Sequence, residues 1–387
     1  SRLAINPLDD SGSDNSDGIT NKNTGLRITG MADPGVTVQV FDDVNDNNLI
    51  DNGELLTTIT SDATTGAFSA TINLGTGNHR VRAMAFDTEG NISLASSSLR
   101  LTIDKQPVST PTAVALLPSS DTGLRSNDRL TSDAQPTFRV SLPADAQAGD
   151  VVWLTYSGYY TNPAQVYVLG SYQLTAADIL DGGKGYVDIR SQLVLSDRAW
   201  TSANNYYIGA FIVDVAGNIG RMQVLPSLQT DTAAPNASTQ PPAPTLAAMG
   251  DSGSSRSDGI TVVGTGFTLS GTVPAGSRRV EVFDGDTSLG YAEMLSPTSW
   301  NLRYSSTAYR NTTRVFTIQI TDEAGNTSLR SLPLMVTFDA NPPAKLWAPS
   351  LQAASDSGRL ATDGITNSLT GLAFSGFAAP LAAVRLY

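Results

Sequence analysis

The chain contains no cysteine. That excludes disulfides, thiolate metal sites and cysteine nucleophiles, so any covalent staple must be replaced by another kind. It has a single histidine, His79, inside NHRVRAMAF. A lone histidine reads as a surface or turn residue, and zinc chemistry, which draws on clustered His and Cys, is closed. No stretch of about eighteen apolar residues occurs, so no helical membrane span is expected. Lys and Arg number 24 against 36 Asp and Glu, a net charge of −12. No basic stripe is available to neutralise phosphates, so neither nucleic acid nor an anionic membrane surface is expected as a partner. The opening SRLAINPLDD lacks the basic and apolar regions of a signal peptide. The expectation is a segment of a longer chain, or export by a route that needs no N-terminal signal.

What is abundant is punctuation: 34 Gly and 20 Pro among 387 residues, with many Ser, Thr, Asn and Asp. Between these the apolar pattern has period two, as in VTVQVF (36–41), HRVRAMAF (79–86), RRVEVF (278–283) and RVFTIQI (314–320). No convincing helical stripe appears. The reading is all-β, with antiparallel β-sandwiches.

Two phrases recur. The first is DSGSDNSDGIT at 10, DTGLRSNDRLT at 121, DSGSSRSDGIT at 251 and DSGRLATDGIT at 356. Its two aspartates keep one spacing: Asp10 and Asp17, Asp121 and Asp128, Asp251 and Asp258, Asp356 and Asp363. The second is D-x-x-G-N followed by another Asp at a fixed distance: Asp87 and Asp104, Asp214 and Asp231, Asp322 and Asp339. Repeats this far apart are whole domains. The expected modules are 1–105, 106–232 with an insertion around 156–207, 233–340, and the beginning of a fourth at 341–387. Pro-rich joints (KQPVSTP, DTAAPNASTQPPAP, DANPPAK) separate them.

A strand rises ~3.3 Å per residue, so the segment between the two aspartates of the second phrase crosses one sandwich. Up-and-down alternation then gathers Asp10, Asp17, Asp104 and Asp214 at one junction. The same count gathers Asp121, Asp128, Asp231 and Asp322 at a second, and Asp251, Asp258 and Asp339 at a third. Carboxylates so gathered repel unless a cation holds them, and oxygen ligands in irregular loops suit Ca²⁺. The competing reading is ordinary turn chemistry, with Asp capping a Gly-Asn turn. A separate signal is 43-DVNDNNLIDNGE-54, which places Asp43, Asn45, Asn47, Asp51 and Glu54 at positions 1, 3, 5, 9 and 12 of an EF-hand-type loop. Leu49 would offer its carbonyl, Ile50 fills the apolar eighth position, and Asn48 stands where Gly is expected, a residue that tolerates the left-handed conformation.

D-S-G-x(4)-D-G-I-T, D-x-x-G-N and the D-T-x-A-P joint at 231–235 resemble the bacterial immunoglobulin-like tandem repeats of giant type I-secreted, RTX-type adhesins. Asp128-Arg129 replaces Asp-Gly in the second copy, and DKQP lacks the full joint pattern. The resemblance implies tandem Ig-like sandwiches in an extended array, Ca²⁺ at the junctions and one-step export to the bacterial cell surface. It implies the extender of a surface adhesin; the leading expectation is a monomeric, non-enzymatic rod that contacts its neighbouring modules and projects a distal binding domain for adhesion or biofilm formation. Other functions remain open. The insertion, with Tyr156, Tyr159, Tyr160, Tyr167, Trp200, Tyr206 and Tyr207, could bind a host-surface, glycan or biofilm-matrix ligand or simply fill a larger core. A surface-layer or filament subunit would share fold and calcium. A glycosidase would need paired carboxylates outside the repeats, and none stands out.

Overall fold

A computed structural model describes residues 2–157, 167–179, 182–197, 206–236, 239–253, 255–305, 308–380 and 382–387. The described residues contain no helix and form 27 strands. The first sandwich comprises β1 (Ala4–Ile5), β2 (Ile19–Thr20), β3 (Leu26–Met31), β4 (Thr37–Asp42), β5 (Leu55–Thr60), β6 (Ala67–Ile72), β7 (Gly77–Phe86) and β8 (Leu99–Ile103). The second comprises β9 (Ala113–Leu116), β10 (Leu130–Thr131), β11 (Thr137–Ser141), β12 (Val151–Ser157), β13 (Tyr167–Gln173), β14 (Tyr186–Arg190), β15 (Tyr206–Val213) and β16 (Gln223–Thr230). The third runs through β17 (Thr245–Leu246), β18 (Ile260–Thr261), β19 (Phe267–Thr272), β20 (Ser277–Asp284), β21 (Thr287–Tyr291), β22 (Glu293–Ser296), β23 (Ser299–Tyr304), β24 (Thr312–Asp322) and β25 (Leu334–Phe338). β26 (Ser350–Leu351) and β27 (Phe374–Ser375) pair alone.

The sheets are β1-β3-β6 and β2-β8-β7-β4-β5 in the first sandwich, and β14-β11-β9 and β10-β16-β15-β12-β13 in the second. The third has β17-β19-β23-β22 and β18-β25-β24-β20-β21. Antiparallel pairing keeps the up-and-down alternation of strand direction expected from the sequence, but neighbours in the chain do not always share a sheet. Consecutive strands such as β3 and β4 lie in different sheets, and the first strand of each sandwich is split in two. Its first half pairs antiparallel in the smaller sheet, as β1 does with β3. Its second half crosses over and pairs parallel to the last strand: β2 with β8, β10 with β16, β18 with β25. The crossing segment between the halves is the loop that carries the paired aspartates.

Alternation along the strands fills three separate cores. Leu26, Ile28, Val38, Val40 and Val81 are among the buried residues of the first; Phe138, Val140, Leu154, Ile208 and Ile212 anchor the second. The third is aromatic, with Phe267, Trp300, Tyr304, Tyr309, Phe316 and Phe338. Of the tyrosine-rich insertion, Tyr206 lies in the second core; Tyr156 packs against it, edge-on to Tyr206 and stacked on the exposed Tyr167. Tyr159, Tyr160 and Trp200 lie outside the described residues.

The chain divides into two compact units, Ser1–Ala234 with Asp322–Thr327, and Pro235–Thr321 with Ser328–Tyr387. The first unit therefore holds two whole sandwiches and one additional turn.

Candidate cation sites at the sandwich ends

The aspartates of this loop make the same backbone hydrogen bonds in all four copies. Backbone N–H groups of Gly18, Arg129, Gly259 and Gly364 donate to Oδ2 of Asp10 (3.0 Å), Asp121 (3.3 Å), Asp251 (3.1 Å) and Asp356 (3.0 Å). The second aspartate caps the residue two further on: Ile19, Leu130, Ile260 and Ile365 donate to Oδ1 of Asp17, Asp128, Asp258 and Asp363. In every copy the remaining oxygen of the first aspartate, Oδ1 of Asp10, Asp121, Asp251 and Asp356, is buried without a hydrogen-bond partner. Burial pushes the Asp10 and Asp121 carboxyls up, and repulsion from Asp17 and Asp14, and from Asp128, adds to it.

Gly18, Gly259 and Gly364 take left-handed φ values of 77°, 72° and 70°, and Arg129 takes 64° in the same place. The replacement seen in the sequence thus keeps the conformation without the residue that adopts it freely.

The exit aspartates lie beside these loops. Asp104, Asp231 and Asp339 donate their N–H groups to Thr20, Thr131 and Thr261 carbonyls at 2.9–3.0 Å. Each carboxylate accepts an N–H two residues on, from Gln106, Ala233 and Asn341. Burial raises Asp231, with Asp322 and Asp197 repelling it.

The D-x-x-G-N aspartates are satisfied within their own turns. Oδ1 of Asp87, Asp214 and Asp322 accepts the N–H of Asn91, Asn218 and Asn326, while the asparagine Nδ2 donates to Oδ2. Here turn chemistry accounts for each carboxylate.

Within the first compact unit the turns and loops meet. Ser11 Oγ donates to Ala216 O (2.6 Å), and Asn218 Nδ2 donates to Asp104 O (3.0 Å). The Asp322–Asn326 turn repeats this: Thr122 Oγ1 donates to Ala324 O (2.7 Å), and Asn326 Nδ2 to Asp231 O (2.7 Å). Asp150 supports the first turn by accepting the Val215 N–H, and burial pushes its carboxyl up, with Asp214 and Asp145 repelling. So Asp10, Asp17, Asp104 and Asp214 sit on loops that touch, as do Asp121, Asp128, Asp231 and Asp322. The contacts, however, run through hydroxyls, amides and carbonyls. Among the described residues no three acidic or histidine side chains gather closely enough to hold a metal by themselves.

In the 43–54 loop, Asp43 is fully buried and accepts N–H groups from Asn47 (3.0 Å) and Asn48 (3.1 Å). Glu54 closes the loop by accepting from Val44 and Asp51, both at 3.0 Å. Asn45 and Asn47 amides both donate to Asp51 Oδ2 at 2.8 Å. Asn48 is left-handed at φ 62°, and the side chain of Leu49 is exposed. The sequence offered no signal for Arg82, whose Nε lies 2.7 Å from Asp43 Oδ2 and whose Nη2 bonds Asp46. His79 bridges Asp42 (2.6 Å) and Gly75 O (3.0 Å).

Other residues the sequence reading missed are the hydroxyls of Ser11 and Thr122 and the amides of Asn218 and Asn326. They stand in the quoted phrases, but their partners lie about a hundred or more positions away. Asp9 was also missed; it is a buried anion paired with Arg27 and Lys22.

Residues 1–105 and 238–340 match the bacterial Ig-like domain family, and the chain belongs to it. It is similar to Exoglucanase B of Cellulomonas fimi, 26% identical over 315 residues that cover 80% of this chain and 24% of that protein. The chain thus spans about a quarter of that relative's length. Similar solved structures include the chicken CNTN1 FN1–FN3 domains (10% identity, 87% of this chain and 97% of that one, TM-score 0.34). The fibronectin(III)-like modules of Clostridium thermocellum CbhA cover 60% and 95% at 11% identity and TM-score 0.33. A tetra-tandem repeat in the extending region of a large adhesion protein covers 88% and 74% at 18% identity and TM-score 0.22.

Proposed function

We propose that this chain is a stalk segment of a bacterial cell-surface adhesin, in which Ca²⁺ at the sandwich ends stiffens the joints and a binding domain elsewhere in the protein is carried outward. The observation behind this reading is the fourfold recurrence of a buried, unpartnered carboxylate oxygen on Asp10, Asp121, Asp251 and Asp356. A buried anionic oxygen without a partner is costly, and a divalent cation is the compensation that suits carboxylate and carbonyl oxygens in loops. In this reading Asp17, Asp128, Asp258 and the exit residues Asp104, Asp231 and Asp339 contribute from the same loops, through side-chain or carbonyl oxygens. Asp214 and Asp322 act through their turns. The 43–54 loop takes a further ion through Asp43, Asn45, Asn47, Asp51, Glu54 and the Leu49 carbonyl. The chain itself carries no catalytic centre, works outside the cell as a monomer, and reaches the surface by type I export to serve adhesion or biofilm formation.

Ca²⁺ bound to the folded state alone adds stability by mass action. Elemental analysis of purified protein is expected to find Ca²⁺ in multiple equivalents. Chelation is expected to lower the melting temperature and broaden the distribution of maximum dimensions in solution scattering. Melting curves and scattering profiles identical in EDTA and in millimolar Ca²⁺ would overturn the reading. A second reading, ligand binding by the second sandwich, is favoured by one observation: Tyr167 is half exposed and stacked on Tyr156 at 4.9 Å. A glycan array with the intact chain tests it.

A further inference from the structure

Three copies of the D-[ST]-G loop hold their glycine left-handed, at φ 105° for Gly12, 98° for Gly123 and 109° for Gly253. Two of these glycines are notches already filled. A Cβ on Gly12 would meet Val215 O at 2.0 Å, and one on Gly123 would meet Glu323 O at 2.1 Å. Each notch therefore takes the carbonyl of the second residue of a D-x-A-G-N turn. The neighbouring hydroxyl binds the next carbonyl, Ser11 at Ala216 O and Thr122 at Ala324 O.

The third copy has the same frame. Ser252 Oγ lies 3.0 Å from Thr261 Oγ1 and accepts the Val262 N–H at 2.7 Å, as Ser11 Oγ lies 2.9 Å from Thr20 Oγ1 and accepts Asn21 N–H at 2.8 Å. Asp339 occupies the exit position whose carbonyl, at Asp104 and Asp231, receives the asparagine amide of the turn. Yet among the described residues nothing stands within 4 Å of where a Cβ on Gly253 would lie. The fourth copy departs, because a Cβ on Gly358 would meet Ile365 O of its own loop at 3.0 Å.

We propose that the Asp251–Ser252–Gly253 loop, with Asp339, is a docking seat for a D-x-A-G-N turn presented by a bacterial Ig-like module. Recognition rests on three features: the notch at Gly253, the Ser252 hydroxyl and the Asp339 carbonyl. The third turn residue must also be small, since Ala216 and Ala324 are fully buried where they dock. The remaining turn of this chain has Glu89 in that place. Burying a glutamate there would strip its hydration without a partner, so that turn is not the ligand. The contacts are direct hydrogen bonds and shape, and the seat stands or falls apart from the calcium reading.

The test is an NMR titration of the ¹⁵N-labelled full chain, in EDTA, with a backbone-cyclised peptide presenting Asp-Val-Ala-Gly-Asn (residues 214–218). Saturable amide shifts are expected at 251–262 and 339–341, with the filled seats at Ser11 and Thr122 silent. Peptides with Ala216→Glu or Asn218→Ala are expected to bind about fivefold more weakly or worse, in line with loss of a single hydrogen bond or of the fit. In the protein, Gly253→Val is expected to abolish binding. Because a branched residue strains that φ, and Ser252→Ala would remove the acceptor of the Val262 N–H, the Ala216→Glu and Asn218→Ala peptides against the unaltered chain are the arm that leaves the loop intact. Absence of saturable shifts up to the solubility of the peptide, or undiminished binding of the Asn218→Ala peptide, would overturn the proposal.

Discussion

Arg129 shows how strictly the loop backbone is specified. It adopts the φ that three glycines adopt in the sister loops, and a side chain there costs on the order of 1 kcal/mol. Its N–H also makes the longest of the four bonds to the first aspartate, 3.3 Å. Arg129→Gly is therefore expected to stabilise the chain by about 0.5–1 kcal/mol in denaturant unfolding, despite removing a side chain. Buried carboxyls in these loops and turns set a pH response. Burial holds Asp10, Asp121, Asp150 and Asp231 above the ordinary aspartate range. The folded chain keeps protons there that the unfolded chain, with aspartates near ~3.9, releases. That contribution is complete below the unfolded value and is lost as pH rises through the folded values. Opposing groups act lower down: Arg27 holds Asp9 far below its usual range, and Asn91 lowers Asp87. Their contribution is present above ~3.9 and fades as pH falls through their depressed values. In metal-free buffer, thermal scans are expected to show greatest stability in mildly acid solution rather than at neutrality. Ca²⁺, which prefers ionised carboxylates, is expected to move the maximum toward neutral pH.

At the scale of elements, the 43–54 loop arrives already partly neutralised. Arg82 sits against the buried Asp43, so a cation entering the loop competes with a guanidinium. Arg82→Ala is expected to lower the metal-free melting temperature, because Asp43 loses its partner, and to enlarge the upward shift that Ca²⁺ produces. Differential scanning fluorimetry on both forms checks it. Equal Ca²⁺ shifts in the two proteins would show that the loop does not take the ion. This competition was invisible in the sequence, since Arg82 lies on β7 and reaches Asp43 only once β4 and β7 pair. The strands themselves were legible wherever alternation had room to declare itself, as in VTVQVF for β4 or RVFTIQI for β24. β1 and β2 were not. At two residues each they carry no periodicity, and the switch between sheets is decided by partners on β3 and β8. The meeting of Asp10 with the Asp214 turn could be anticipated because spacing is a one-dimensional quantity. That Asn218 and Ser11 make the contact could not, because choice of hydrogen-bond partner depends on orientation.

For the whole molecule the dominant quantity is a net charge of −12, much of it in the recurrent loops. Self-repulsion of this size weakens a compact state and is screened over a Debye length of ~8–10 Å at physiological salt. The melting temperature in EDTA is therefore expected to rise as NaCl increases from about 0.01 to 0.15 M, while with Ca²⁺ present the same change has little effect. A steeper salt response with Ca²⁺ than without it would contradict the placement of the ions at the acidic loops. Lastly, the parallel pair β2 and β8 bears on how a sandwich meets a pull along the chain. Once β1 has been drawn off β3, tension enters through β2 and leaves through its parallel neighbour β8, so their bonds, among them those from Thr102 to Gly18 O and from Asp104 to Thr20 O, are loaded together in shear and cannot be unzipped singly.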